Sequence, residues 1–176
     1  MMASTNTSHE EAAVVDANVL IDLFELDRLD LLFISFDVVC IPQIIYDKEL
    51  QGTIKERIRE HTFKVSNIDS EEGHATYLRL TVDRDYRNLS DHDKVAISIA
   101  KQYEYYCNSN DGLVRKACDL VGVRCLGTLG LLEKAWDKKA ITTEELVHLV
   151  NELAGDNTSC YIKKTIIKGF LDKLGI

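Results

Sequence analysis

Residues 13–24 read AVVDANVLIDLF. A short apolar run ends in a carboxylate, passes one Ala and one Asn, and enters a second apolar run with helical spacing. A strand-forming run that gives way at once to a helix marks a strand surfacing at the edge of a parallel sheet. Asp16 sits at the junction. Deeper in the strand its charge would carry a large desolvation cost, whereas at the sheet edge water or a cation can reach it. The stretch thus predicts a strand–helix unit with an acid at its corner, and one acid defines no site without partners.

Working outward, the same rhythm recurs. Strands are expected at 13–16, 37–41, 63–68, 103–107 and 123–126. Helices are expected at 19–34 (broken near Asp27), 42–50, 54–60, 71–81, 91–101 and 112–120, then without interruption by strands at 128–137, 144–154 and 165–174. Alternation of this kind predicts an α/β fold, a three-layer α/β/α sandwich around a central parallel sheet of four to five strands. Pro42 suits a first helical position. Asp69 with Glu72 and Thr142 with Glu145 have capping-box spacing, and Ser90 with Asp93 forms an imperfect version. Residues 1–10 read as a disordered tail, 11–155 as one domain, and 156–176 as a C-terminal helix that packs on the domain or on a partner.

The chain has 176 residues, 45% of them hydrophobic, enough for one ordinary core. No apolar stretch approaches the ~18 residues of a membrane span, and the polar start MMASTNTSHE lacks a signal-peptide pattern. The five cysteines form no CxxC pair. With three of them in strand-like runs, they read as reduced core residues of a cytoplasmic protein, without disulfides or a zinc knuckle. No local motif activates any of them as a nucleophile. Lys and Arg number 21 against 29 Asp and Glu, a formal net charge of −8, which speaks against broad electrostatic binding of nucleic acid.

Ligands of an open parallel sheet bind outside the carboxyl ends of its strands. The acids placed to reach that edge are Asp16, after the first strand, and Asp111, after YYCNSN. Glu49 in IPQIIYDKEL and Asp93 in LSDHDKVAISIA come from helices. Each also has a structural reading. Asp16 and Asp111 suit helix caps, Asp93 closes the box with Ser90, Glu49 suits a solvated helix surface, and His92 suits an exposed first-turn residue rather than a ligand. Together they are an all-oxygen set from four segments, which suits Mg²⁺ or Mn²⁺ rather than zinc.

The runs VVDANVLIDLF, IPQIIYDKEL, LSDHDKVAISIA and CNSNDGLVRKACDLVGVRCLGTLGLLEKA, in this order and spacing, resemble the PIN-domain family of metal-dependent ribonucleases. The resemblance spans roughly 13–155, and the relatives in pattern include the VapC-type toxins of prokaryotes. It implies that Asp16, Glu49, Asp93 and Asp111 are the catalytic, metal-binding acids, with Asp47 and Asp91 as the neighbours in question. It further implies that Asn18, Ser109 and Asn110 support the carboxylates from behind. Where the family's fourth motif has a hydroxyl and Asp or two adjacent acids, this chain has Ser109-Asn110-Asp111, so one possible acid is an amide.

The expected activity is endoribonucleolytic hydrolysis of RNA with Mg²⁺ or Mn²⁺, in a toxin restrained by an antitoxin and paired as a homodimer. A PIN fold kept as a non-catalytic RNA- or protein-binding module is the alternative. An aspartyl-phosphate hydrolase is disfavoured because Asn18 occupies the place of its second Asp. RNA contacts would fall to Lys48, Lys55, Arg57, Arg59 and Arg115, or to Lys163, Lys164 and Lys168, each also readable as a solvated face. Tyr103, Tyr105 and Tyr106 read as strand residues that pack in the sheet. In the tail, Leu146, Leu149, Val150 and Leu153 form a core stripe, and Ile162, Ile166, Ile167, Phe170 and Leu174 a second one.

Overall fold

The computed structural model describes residues 10–155, 158–160 and 162–176. Most of the tail expected at 1–10, and part of the GDNTS breaker, lie outside the described residues. Five strands, β1 (Ala12–Val15), β2 (Val38–Pro42), β3 (Lys64–Ser66), β4 (Tyr106–Asn108) and β5 (Cys125–Leu126), form one sheet in the order β3-β2-β1-β4-β5. Every pairing is parallel.

Strand pleating sorts the core into two. Ala13 and Val15 of β1, with Val39 and Ile41 of β2, face one cluster, whereas Val14 and Cys40 face the other. The first cluster is covered by α1 (Ala17–Glu25), α2 (Asp30–Ser35), α3 (Gln43–Lys48), α4 (Gly52–Ile58), α8 (Thr128–Asp137), α9 (Thr143–Glu152) and α10 (Lys164–Leu174). The second is covered by α5 (Glu71–Val82), α6 (Asp91–Tyr103) and α7 (Gly112–Val121). This is the expected three-layer α/β/α sandwich, and alternation at period two is what delivers side chains to both layers.

The expected break near Asp27 is present: α1 ends at Glu25 and Asp27 takes a left-handed φ of 53°. The Thr142–Glu145 capping box forms as read, and the Ser90–Asp93 box proves complete, both partners bonding reciprocally. Two local readings are corrected. Asp69 does not cap α5; Ser70 does, accepting from the Gly73 N–H at 3.0 Å, while Asp69 accepts from the Tyr103 hydroxyl at 2.9 Å. Pro42 is not a helical residue but closes β2, with the helix starting at Gln43.

The strand expected at 103–107 begins only at Tyr106. Helix α6 runs through Tyr103 and stops where Glu104 turns left-handed at φ 57°. Tyr103 is therefore an exposed helix-end residue whose ring meets that of Tyr105 at a tilt, not a sheet residue.

Both tail stripes pack on the parent domain. Leu146, Leu149, Val150 and Leu153 are buried in the first cluster, joined by Ile167 of α10. Ile162, Phe170 and Leu174 lean on the same cluster, and Lys173 bridges to Glu133 of α8 at 3.0 Å. Ile166 alone of the second stripe points outward, 53% exposed.

Candidate functional site

Chain order reverses between β1 and β4: β2 and β3 extend from β1 on one side, β5 from β4 on the other. The splayed loops after β1 and β4 leave a crevice at such a switch point. Asp16 and the run Ser109-Asn110-Asp111 stand on its two lips. The lips are joined by a backbone bond from Asp16 N–H to the Asn108 carbonyl at 3.0 Å.

Asp16 is the N-cap of α1, and its Oδ1 accepts from the Ala17 N–H at 2.8 Å. Its Oδ2 accepts from the Ser109 hydroxyl at 3.2 Å and from the Asn18 side-chain amide at 3.4 Å. Both residues thus orient the carboxylate as expected. The side chain is only 6% exposed. Burial and the charge of Asp93, with Glu49 adding to it, raise its pKa from 3.8 to about 6, against the hydrogen bonds that lower it. The charges of Asp93 and Glu49 thus both act on Asp16. Asp47 is instead exposed and accepts from the Gln43 side chain, and Asp91 pairs with Lys94 at 3.4 Å.

Asp93 is held by its own helix start, Oδ2 accepting from the Ser90 N–H at 3.0 Å and the Ser90 hydroxyl at 2.7 Å. Glu49 caps the C-terminus of α3, and its Oε1 meets His92 Nδ1 in the first turn of α6. His92 is thus half-buried against an acid rather than free on the surface. Asp111 serves as the N-cap of α7, accepting from the Leu113 and Val114 N–H groups at 2.6 and 3.1 Å. Its own N–H donates to Ser109 Oγ at 3.3 Å, so Ser109 links the β1 acid to the β4 loop.

Asn110 turns the other way. Its amide donates to Asp22 Oδ2 at 2.6 Å and to Thr128 Oγ1 at 2.9 Å, its carbonyl accepts from the Thr128 N–H at 2.8 Å, and the Thr128 hydroxyl donates to Asp22 at 2.6 Å. Asp22, 3% exposed, and Thr128, fully buried, are functional neighbours that the sequence reading missed. The signal was there: an acid inside the apolar helix NVLIDLF needs a buried partner, and GTLG supplies one. Gly127 is what lets the two loops meet, because a Cβ there would lie 2.7 Å from Asn110 Oδ1. Burial raises the Asp22 pKa, opposed by bonds from Thr128, Cys160 and Asn110. Asn18, Ile21, Asp22, Asn110, Asp111 and Cys160 line a cavity of about 320 Å³ beside the crevice.

A family model described as PIN domain matches residues 12–176. The chain belongs to the PIN-domain family. No curated protein matches it. PIN domains are generally nucleases that use divalent metals, and the match runs through α10 to the last residue, so the terminal helix lies inside the matched region of this PIN domain.

The donor chemistry fits a divalent cation. Asp16 is buried, feels the charges of two other carboxylates, and accepts from neutral donors: the Ala17 N–H, the Asn18 amide and the Ser109 hydroxyl. A hard cation is the partner such oxygens lack. Among the described residues, no three His, Cys, Asp or Glu groups already converge on one point tightly enough to hold an ion. Glu49 and Asp93 rest instead on His92 and Ser90.

Proposed function

We propose that this PIN domain is a Mg²⁺- or Mn²⁺-dependent endoribonuclease. The carrying observation is Asp16, buried at the switch point of the sheet beside Ser109, with the charges of Asp93 and Glu49 acting on it. Asp16, Glu49 and Asp93 would hold the metal, with Asp111 on the facing lip. When bound, the metal acidifies an attacking water and offsets charge on the phosphodiester. Ser109 and Asn18 hold the Asp16 carboxylate in one rotamer from behind, as outer partners of metal ligands do.

RNA would approach over α4, which lies next in sequence to Glu49. Lys55 and Arg59 are fixed there by Tyr46, through its carbonyl at 2.7 Å and its hydroxyl at 3.1 Å, and Arg57 pairs with Asp27 at 3.0 Å. Basic groups gathered on α4 would give a net-acidic protein a local path for a phosphate backbone. The toxin role, an antitoxin partner, a cytoplasmic location and a homodimer using the exposed side of α10 belong to the same reading. Neighbouring-gene context and sedimentation of the full chain test these.

The decisive experiment is RNA cleavage and Mn²⁺ calorimetry on the wild type and Asp16→Asn. Cleavage that needs metal and vanishes in the variant, together with lost Mn²⁺ binding, is the expected result. Undiminished Mn²⁺ binding by the variant refutes the assignment. One observation favours the second reading, a binding module without catalysis: Asn110 is committed to Asp22 and the Asp111 carboxylate to its own helix. RNA binding without cleavage under any divalent metal would select it.

A further inference from the structure

Three cysteines with no part in the acidic site stand together on the α7 side of the sheet. Cys107 in β4 is in register with Cys125 in β5, and side chains in register on parallel neighbours leave the same face. Cys118 of α7 belongs to the apolar cluster that contains Cys107 and packs against Cys125. None of the three is in a disulfide. Cys107 and Cys118 are fully buried, whereas Cys125, on the short edge strand, is partly exposed. Its sulfur lies 4.0 Å from the Ser109 carbonyl, and Arg115 reaches back over β5 to the Cys125 carbonyl at 3.5 Å.

This arrangement sorts the thiols by reactivity. Hydrogen bonds from Cys107 and Cys118, helped by the Arg115 charge, hold the Cys125 thiol well below its ordinary value. Bonds to Cys118 and Cys125 push Cys107 up. A partly exposed, acidified thiol with thiol neighbours in reach is the pattern of a reactive cysteine beside a resolving one. The other two cysteines lack it. Cys40 is buried with its thiol raised by desolvation, and Cys160 is pushed up to about 12 by burial and the charge of Asp22.

We infer that Cys107, Cys118 and Cys125 form a peroxide-reactive thiol site, with Cys125 as the attacking sulfur and one buried neighbour as the resolving thiol. The Cys125 thiolate attacks one oxygen of hydrogen peroxide; the S–O bond forms, the O–O bond breaks, and hydroxide leaves and is protonated to water. The sulfur is oxidised by two electrons to a sulfenic acid and the peroxide is reduced. The neighbouring thiol, losing its proton, then attacks that sulfur; the S–S bond forms, the S–O bond breaks, and a second water leaves. The site stands independently of the nuclease reading.

The test treats the reduced full chain with hydrogen peroxide, alkylates it under denaturing conditions and maps the peptides. The expected product is a bridge from Cys125 to Cys107 or Cys118, reversible by dithiothreitol, with Cys40 and Cys160 still alkylated. In Cys125→Ser, and in Cys125→Ala as a second check, Cys107 and Cys118 should stay reduced at the same peroxide dose, with thermal melts confirming the fold. A bridge that still forms without Cys125, oxidation of Cys40 or Cys160 ahead of it, or conversion of Cys125 to sulfinic acid with no bridge would each overturn the proposal.

Discussion

Asp16 and Asp22 leave the same short stretch, both are buried, and burial raises the pKa of both. Their neighbours differ in kind. Asp22 is met by an amide, a hydroxyl and a thiol, neutral donors aimed at its oxygens that outweigh the one acid charge on it, that of Glu25, whereas at Asp16 the charge of Asp93 is second only to burial. Asp16 receives a hydroxyl and two N–H groups, yet also faces the charges of Asp93 and Glu49. A buried acid satisfied by neutral donors closes a structure, tying α1 to the β4 loop and to α8. A buried acid set against other acids is held in an unfavourable arrangement that a cation would relieve. Under the proposed function, the contrast separates an acid that ties the fold together from one that would serve the chemistry.

The largest effect that tests this contrast is on activity. Asp16→Asn should lower metal-dependent RNA cleavage by at least ~100-fold, since even outer partners of metal ligands cost about 10–100-fold when removed. Asp22→Ala should leave cleavage within a few-fold of wild type in initial-rate assays, after correction for the folded fraction. Equal losses in both variants would erase the distinction.

The next effect is on the pH dependence of stability without metal. Between 3.8 and about 6, the folded chain keeps a proton on Asp16 that the unfolded chain has released. Stability from this group is therefore present at low pH and is lost as pH rises through that window. At about 1.4 kcal/mol per pKa unit the loss is on the order of 3 kcal/mol. Asp22, also raised, adds to the same slope. Urea unfolding from pH 4 to 7 should show the decline in wild type and a flatter curve in Asp16→Asn, with the variant the more stable of the two at neutral pH. A wild-type curve that rises over this range contradicts the electrostatic picture.

A smaller effect separates the fold roles. Asp22→Ala strands the Asn110 amide and the Thr128 hydroxyl in a buried place and should cost about 2 kcal/mol, lowering the melting temperature by roughly 4–8 °C for a chain of this size. Smallest is Ser90→Ala, which removes one half of the α6 capping box at a cost of about 1 kcal/mol. It also removes the hydroxyl bond to Asp93 and leaves only the backbone one, so Mn²⁺ affinity should change with it if the carboxylate turns toward Asp16. An Mn²⁺ isotherm identical to wild type would leave Asp93 as a cap alone.

What the sequence determined by itself were the features written in local periodicity. The strand–helix alternation, the break near Asp27, the two boxes at Ser90 and Thr142, and the buried stripe of α9 depend on neighbours a few residues apart, and these follow from spacing. Four acidic segments, placed by resemblance, also mapped to the correct elements. Boundaries such as Pro42 and Tyr103 shifted because tertiary contacts, not propensity, decide where a last turn ends.

Only the tertiary structure decided how those parts meet. Strand order brings Asp16 beside Ser109, separated by 93 positions in the chain, and Asp22 beside Thr128, separated by 106. It set the charges of Glu49 and Asp93 on Asp16, turned Asn110 away to serve Asp22, and gathered Cys107, Cys118 and Cys125 from two strands and a helix. Pairings of this length carry no periodic signature. They are set by the close packing of two separate cores against one sheet and by the need of each buried polar group for a partner.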